Sequence, residues 1–267
     1  MQKSQQVLFV SHGGGPLPLL GDPGHWALVA HLKQLAKDIK KPSAILVISA
    51  HWENSVATVT SSADPSLIFD YYGFPAESYD VAYPCKGEPV LADKVANALK
   101  EAGIDVQKDP KRGLDHGVFV PLKIMYPDAS IPCIQLSLVN SLDAQEHIKI
   151  GKALSNLDYD NLLILGSGFS FHNMHAFFAP STEQSKALNN GFENWLKSVL
   201  ASDTLSEEER TQQMINWEKA PGARYCHPRE EHLLPLHVCY GVAGKKAQLT
   251  DSVTILNKQA GTFGWFN

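Results

Sequence analysis

The chain lacks any run of Lys or Arg long enough to form a basic stripe, and its 23 basic against 28 acidic side chains leave a formal charge of −5. That balance argues against nucleic acid and anionic membrane as partners. It has no C-x-x-C pair. Cys85, Cys133, Cys226 and Cys239 stand far apart, without the dense spacing of a disulfide framework, so they read as reduced packing thiols. The start offers neither a secretory h-region nor a transmembrane span, because polar Met1 to Gln6 runs straight into a four-residue apolar segment; a cytoplasmic location is the expectation. Internal repeats are missing, as is any Gly-, Ser- or Pro-rich linker, so residues 1–267 read as one domain.

What is present suffices for a sizeable core: 267 residues, 44% of them hydrophobic. Short apolar runs at Val7–Val10, Ala44–Ser49, Ile131–Leu136 and Leu162–Leu165 have the continuous pattern of strands buried on both faces. Helix-period segments lie between them, at His25–Ile39, Pro89–Ala102, Ala144–Leu157 and Glu183–Leu200, with Ser141 and Asp143 placed to cap the third. The class is therefore α/β, with a mixed central sheet flanked by helices on both faces. Val56–Thr60 and Val253–Leu256 read as outer strands. Two segments interrupt the alternation and are candidates to cover a site: aromatic, Pro-rich Asp64–Pro84 and charged Ser202–Gly222.

Histidine carries the chemistry. The first strand runs into Ser11-His12-Gly13-Gly14-Gly15-Pro16, and the second ends in Ser49-Ala50-His51-Trp52-Glu53. Both imidazoles fall at the strand ends where open α/β sheets bind ligands, and jointly they can converge on a metal. The glycines have neither a terminal Lys-Ser/Thr nor the G-x-G-x-x-G spacing, which excludes a nucleotide loop. His116 follows Gly113-Leu114-Asp115 at the entrance to an apolar segment; Asp115 is a candidate to orient it, although adjacent residues need not face each other. Gly166-Ser167-Gly168 leads to His172-Asn173, and Ser167 does not sit at the centre of a G-x-S-x-G elbow. In Cys226-His227-Pro228-Arg229-Glu230-Glu231-His232, Pro228 favours a helix start, with two carboxylates and His232 in its first turns. The histidine spacing of five excludes H-E-x-x-H. His25, His31, His147, His175 and His237 read as packing or surface residues, and the aromatics Phe69, Tyr71, Tyr72, Phe74, Tyr79 and Tyr83 as loop packing or an aromatic pocket.

Taken in order, these five motifs resemble the class III extradiol ring-cleaving dioxygenases of the LigB superfamily, in particular its DOPA-dioxygenase branch, over nearly the whole chain. The resemblance implies a non-haem Fe(II) site, which Zn(II) can also occupy, and a catechol such as L-DOPA or a related catecholic acid as substrate together with O2. His12 and His51 match the two first metal ligands, and the closing motif supplies the third, assigned to His232 with His227 or Glu231 as alternatives. His172 matches the residue that accepts a catechol proton or joins the metal, and His116 the partner acid. Arg229-Glu230 departs from the Thr-Pro or Trp-Pro of many relatives, which bears on substrate and local helix geometry. Two competitors stand beside this reading: a zinc hydrolase on a related scaffold and a non-enzymatic metal-binding signalling protein.

Overall fold

The apolar runs assemble into one eight-stranded sheet. In the computed structural model, which describes residues 5–266, the strands are β1 (Gln5–Ser11), β2 (Ala44–Asn54), β3 (Ala57–Thr60), β4 (Val106–Asp109), β5 (Cys133–Val139), β6 (Leu162–Gly168), β7 (Leu249–Ile255) and β8 (Lys258–Trp265). Their order is β4-β3-β5-β2-β6-β1-β8-β7. The middle four, β5-β2-β6-β1, are parallel, while β8 pairs antiparallel with β1 and β3 antiparallel with β5. The sheet is mixed, as expected. Ile45, Leu46, Val47 and Ile48 are wholly buried, and each contributes on the order of 1.5–3 kcal/mol, which holds β2 at the centre.

The helices are α1 (Trp26–Asp38), α2 (Pro89–Glu101), α3 (His116–Met125), α4 (Ala144–Leu154), α5 (Met174–Phe178), α6 (Glu183–Leu200), α7 (Glu207–Ile215), α8 (Ala223–Cys226) and α9 (Leu234–Ala243). Consecutive residues of β6 show that they cover both faces. The Ser167 hydroxyl donates to the Gly117 carbonyl of α3, whereas the neighbouring Gly166 faces Pro235 and Cys239 of α9. Side chains alternate along a strand, so α3 and α9 lie on opposite sides. Among the described residues no helix is long and apolar enough to cross a membrane. All four cysteines are buried and unpaired.

Several expectations are corrected. The closing strand is half of a hairpin, in which Leu256 and Asn257 take the left-handed conformations that join β7 to β8. The strand β8 escapes a sequence reading because Lys258, Gly261 and Gly264 break its apolar pattern. The apolar segment after His116 is the helix α3 despite Pro121 inside it. Asp143 caps α4 by accepting from the Glu146 N–H at 2.7 Å, while Ser141 bonds the Glu146 side chain instead. No helix starts at Pro228. Residues 228–230 bend, 231–233 form a turn, and α9 begins at Leu234, because the His232 carbonyl is engaged by the Phe169 N–H at 2.9 Å. Ser202–Gly222 packs on α4, α6 and α9, with Thr211 bonded to Tyr240 and Met214 to His237.

The close passage of α9 over β6 yields a test. A methyl at Gly166 would lie 2.6 Å from Cys239 Sγ and 2.8 Å from the Pro235 carbonyl oxygen. Gly166→Ala is expected to destabilise the protein by about 1–3 kcal/mol, read as a lower urea midpoint; an unchanged midpoint would contradict this packing.

Candidate metal centre

The C-terminal edge of the parallel strands gathers the histidines. The register pairs Ser11 with Gly168 and Ser49 with Ser167, so β1 and β6 end at the level where β2 leaves β6 and runs on to Asn54. His12 follows β1, its N–H donating to the Gly168 carbonyl at 3.0 Å. The pairing of β2 with β5 shifts register between Ile48 and Glu53, and this irregularity presents His51. His172 is held beyond β6 by a bond from its N–H to the Cys226 carbonyl, and His232 by the bond from Phe169. His116 opens α3. Gly13, at φ +86°, turns the chain after His12 where any side chain would strike His25, Pro18 and Leu28.

Two groups result. Ligand atoms of His12, His51 and His116 lie within 4.8 Å of one another, as do those of His172, Glu231 and His232. The groups adjoin: the His232 ring is 5.3 Å from that of His12 and 4.9 Å from that of His51, centre to centre, and the His172 ring stacks on His232 at 3.4 Å. The expected ligands and proton carriers therefore share one cluster.

The hydrogen bonds fix the tautomers. Since the Ser167 hydroxyl gives its only proton to Gly117, it must accept from His12 Nδ1–H, 3.2 Å away, which leaves a lone pair on His12 Nε2. His116 Nδ1 donates to Asp70 Oδ1 at 2.8 Å. Glu231 Oε1 accepts from Nδ1 of both His232, at 2.9 Å, and His172, at 3.2 Å. A neutral ring bonded in this way carries its proton on Nδ1 and its lone pair on Nε2. Burial first, then the neighbouring histidines, holds the His12 and His51 imidazoles well below their ordinary value of 6.5. Burial likewise brings His232 down to about 3, with His172 adding to the effect. Burial alone would raise the Glu231 carboxyl, but the bonds from His172 and His232 outweigh it and hold it far below the usual range.

Such a donor set fits a divalent cation. Nitrogen ligands sit about 2.0–2.1 Å from a metal, which sets neighbouring ligand atoms roughly 3 Å apart; His12 Nε2 and His51 Nε2 are 3.0 Å apart, with the His12 nitrogen carrying no proton.

Other predicted residues lie differently. His227 is wholly buried, its Nε2 donating to the Ser170 carbonyl at 2.7 Å and its ring packed on Phe192 and Trp217. That engagement takes it out of both groups. Glu231 meets the cluster through Oε1, while its Oε2 lies 3.3 Å from Arg229, whose fork grips Glu53 at 2.6 and 2.7 Å. Asp115 does not orient His116, because it accepts from Ser49 at 2.7 Å and from Gln135 on another side. Asp70, from the aromatic segment, takes that place, and Tyr71 beside it packs edge-on to His116 at 5.6 Å. Sequence reasoning passed over Asp70; its signal was a lone carboxylate between Phe69 and Tyr71. The residues read as packing behave so: His25 accepts from the Gly14 N–H, His147 from the Val139 N–H, and His237 bonds the Met214 carbonyl.

The family model for the catalytic LigB subunit of aromatic ring-opening dioxygenase matches residues 8–265. The chain belongs to the LigB family. Among curated LigB relatives, dioxygenase tasH of Hapsidospora irregularis is 39% identical, covering 91% of this chain and 79% of its own. The 4,5-DOPA dioxygenase extradiol of Mirabilis jalapa is 38% identical, covering 96% and 93%. The crystal structure of an uncharacterised Escherichia coli K12 protein superposes with a TM-score of 0.75 at 27% identity, covering 97% of this chain and 98% of that one. The LigB match spans the fold from β1 to β8, and so includes every histidine of the cluster.

The depressed imidazoles set a pH dependence for the metal-free LigB chain. His12, His51, His227 and His232 stay neutral in the folded state below 6.5, where the unfolded chain takes up protons. The unfolded state then binds more protons, so this stability is complete above about 6.5 and is lost as pH falls toward about 3. After chelation, the urea midpoint should be lower at pH 5 than at pH 7.5; an equal or higher midpoint would contradict neutral buried rings.

Proposed function

We propose that this LigB protein is an extradiol dioxygenase that opens the ring of a catechol, L-DOPA or a related catecholic acid, with O2, using Fe(II) held by His12, His51 and His232. The observation that carries the reading is the convergence of imidazoles whose Nδ1 atoms are committed to oxygen acceptors. The names of the curated relatives, among them the Mirabilis jalapa enzyme, support the catechol and the extradiol bond. Four buried free thiols are in keeping with action in the reducing cytoplasm.

Bound Fe(II) would supply Lewis acidity toward the catechol oxygens and a place for O2 beside them. The residues of the chain manage protons and position. His172, oriented by Glu231 and stacked on His232, presents Nε2 to take the second catechol proton. His116, oriented by Asp70, receives the other catechol proton at Nε2 and returns it as the ring opens. In the net reaction one ring carbon–carbon bond beside the diol and the O2 bond break, and both oxygen atoms enter the product. Glu231 serves two rings with one oxygen, so it acts as the shared orienting carboxylate, with Arg229 against its other oxygen.

The test is oxygen uptake by protein loaded anaerobically with Fe(II), on addition of L-DOPA and simpler catechols. Iron-dependent uptake with a yellow ring-opened product is expected, and a Zn(II)-loaded control should be silent. No uptake across the panel by iron-replete protein would overturn the reading.

The roles separate in variants. His51→Ala should lose the metal through dialysis, while His172→Ala should keep at least part of it and lose kcat by roughly 10²–10⁴-fold. Full turnover by metal-replete His172→Ala would refute the proton role.

A further inference from the structure

Segment 64–84 is long, aromatic and mostly without regular structure, yet it is fastened at one point. The Leu114 N–H donates to the Ser66 carbonyl and the Ile68 N–H to the Leu114 carbonyl, both at 2.8 Å, a parallel bridge that pairs Leu67 with Leu114. Three residues beyond Leu67 and two beyond Leu114, Asp70 and His116 meet. Farther along, Tyr71 donates to the Ser78 carbonyl at 2.5 Å, and its ring packs with Phe74, Tyr79 and Phe119.

One oxygen of Asp70 serves His116 twice. Oδ1 accepts from the His116 backbone N–H at 3.0 Å and from its Nδ1 at 2.8 Å. These two bonds fix both the start of α3 and the rotation of the ring that projects from it. The second oxygen, Oδ2, lies 3.7 Å from His51 Nδ1. A carboxylate at the N-terminus of a helix is favoured by the peptide dipoles, and the bonds from His116 keep Asp70 below its usual range against the opposing effect of burial. Asp115, the carboxylate adjacent in sequence, is held by Ser49, Gln135 and Arg112.

We propose that Asp70 is a positioning residue for ring opening: it holds His116 as the Nδ1–H tautomer, with the Nε2 lone pair free for proton transfer. The function of that lone pair rests on the reading of His116 as a proton carrier; the tautomer itself does not. Segment 64–84 thereby completes the site rather than only covering it.

The experiment compares wild type, Asp70→Ala, Asp70→Asn and His116→Gln. Activity is expressed per bound iron, so that weaker metal retention through His51 does not enter. Removing an orienting partner of this kind lowers activity by about 10–100-fold, and Asp70→Ala should show that loss in kcat with little change in KM. Asp70→Asn retains an Oδ1 acceptor for both N–H groups and should recover most of it. Two-bond ¹⁵N–¹H spectra of the Zn(II)-loaded proteins, with His116 assigned by its loss in His116→Gln, give a readout apart from turnover. Nδ1–H should persist in wild type and Asp70→Asn and disappear in Asp70→Ala. An unchanged tautomer in Asp70→Ala overturns the proposal, whatever its rate. Equal loss of kcat in both Asp70 variants with the tautomer intact also overturns it and leaves Asp70 a structural cap of α3. Wild-type turnover by His116→Gln would instead overturn the role of His116, and the spectra would still decide what Asp70 does.

Discussion

Histidines crowded into one cluster cannot all be charged, and the arrangement of the site follows from that constraint. His12 and His232 are almost fully buried, and His51 and His172 lie within the same cluster. Keeping the His12, His51 and His232 rings neutral removes mutual repulsion but leaves each with one donor and one acceptor nitrogen to satisfy. The chain meets the donor side of four rings with oxygen from three residues: Ser167 for His12, Asp70 for His116, and Glu231, shared by His172 and His232. The lone pairs that remain are what a metal and a proton-transfer reaction require.

The fold delivers those rings by ending β1 and β6 at the level where β2 parts from β6, and by folding two turns back onto them. The strand β6 is the hinge of the arrangement. It sits between β2 and β1, its Ser167 orients His12 and anchors α3, and its Gly168 lies so close to the His232 carbonyl that a side chain there would collide. The glycines flanking Ser167 thus reflect close backbone approach from the closing turn and α9, and Ser167 itself is a hydrogen-bond relay. That accounts for the absence of a nucleophile-elbow pattern around it.

Much of this was legible in the sequence, and the remainder failed for identifiable reasons. Continuous aliphatic runs marked the four central strands because both faces of those strands are covered. His12 and His116 were visible beside glycine, His51 at the end of an apolar run, His172 beyond a glycine turn and His232 within the closing motif. The closing motif misled on local structure, since Pro228 is compatible with a helix start, but the His232 carbonyl is bound by Phe169 and the turn runs to Leu233. His227 was ambiguous for the same reason: only the tertiary bond to Ser170 turns its ring into the packing of Phe192 and Trp217. Asp115 looked like the partner of His116 by adjacency, yet adjacency places side chains on different sides of the chain. Asp70, 46 positions away, reaches it through the Leu67–Leu114 bridge.

The central claim is that this cluster inserts both atoms of O2 into an aromatic diol. Its most direct measurement is mass spectrometry of the product formed by the iron-loaded protein from a catechol under ¹⁸O2, quenched quickly enough to limit exchange with water. The account predicts a ring-opened product carrying two labelled oxygen atoms. A product whose added oxygen comes from water, or one label only with no exchange in a control, would contradict it.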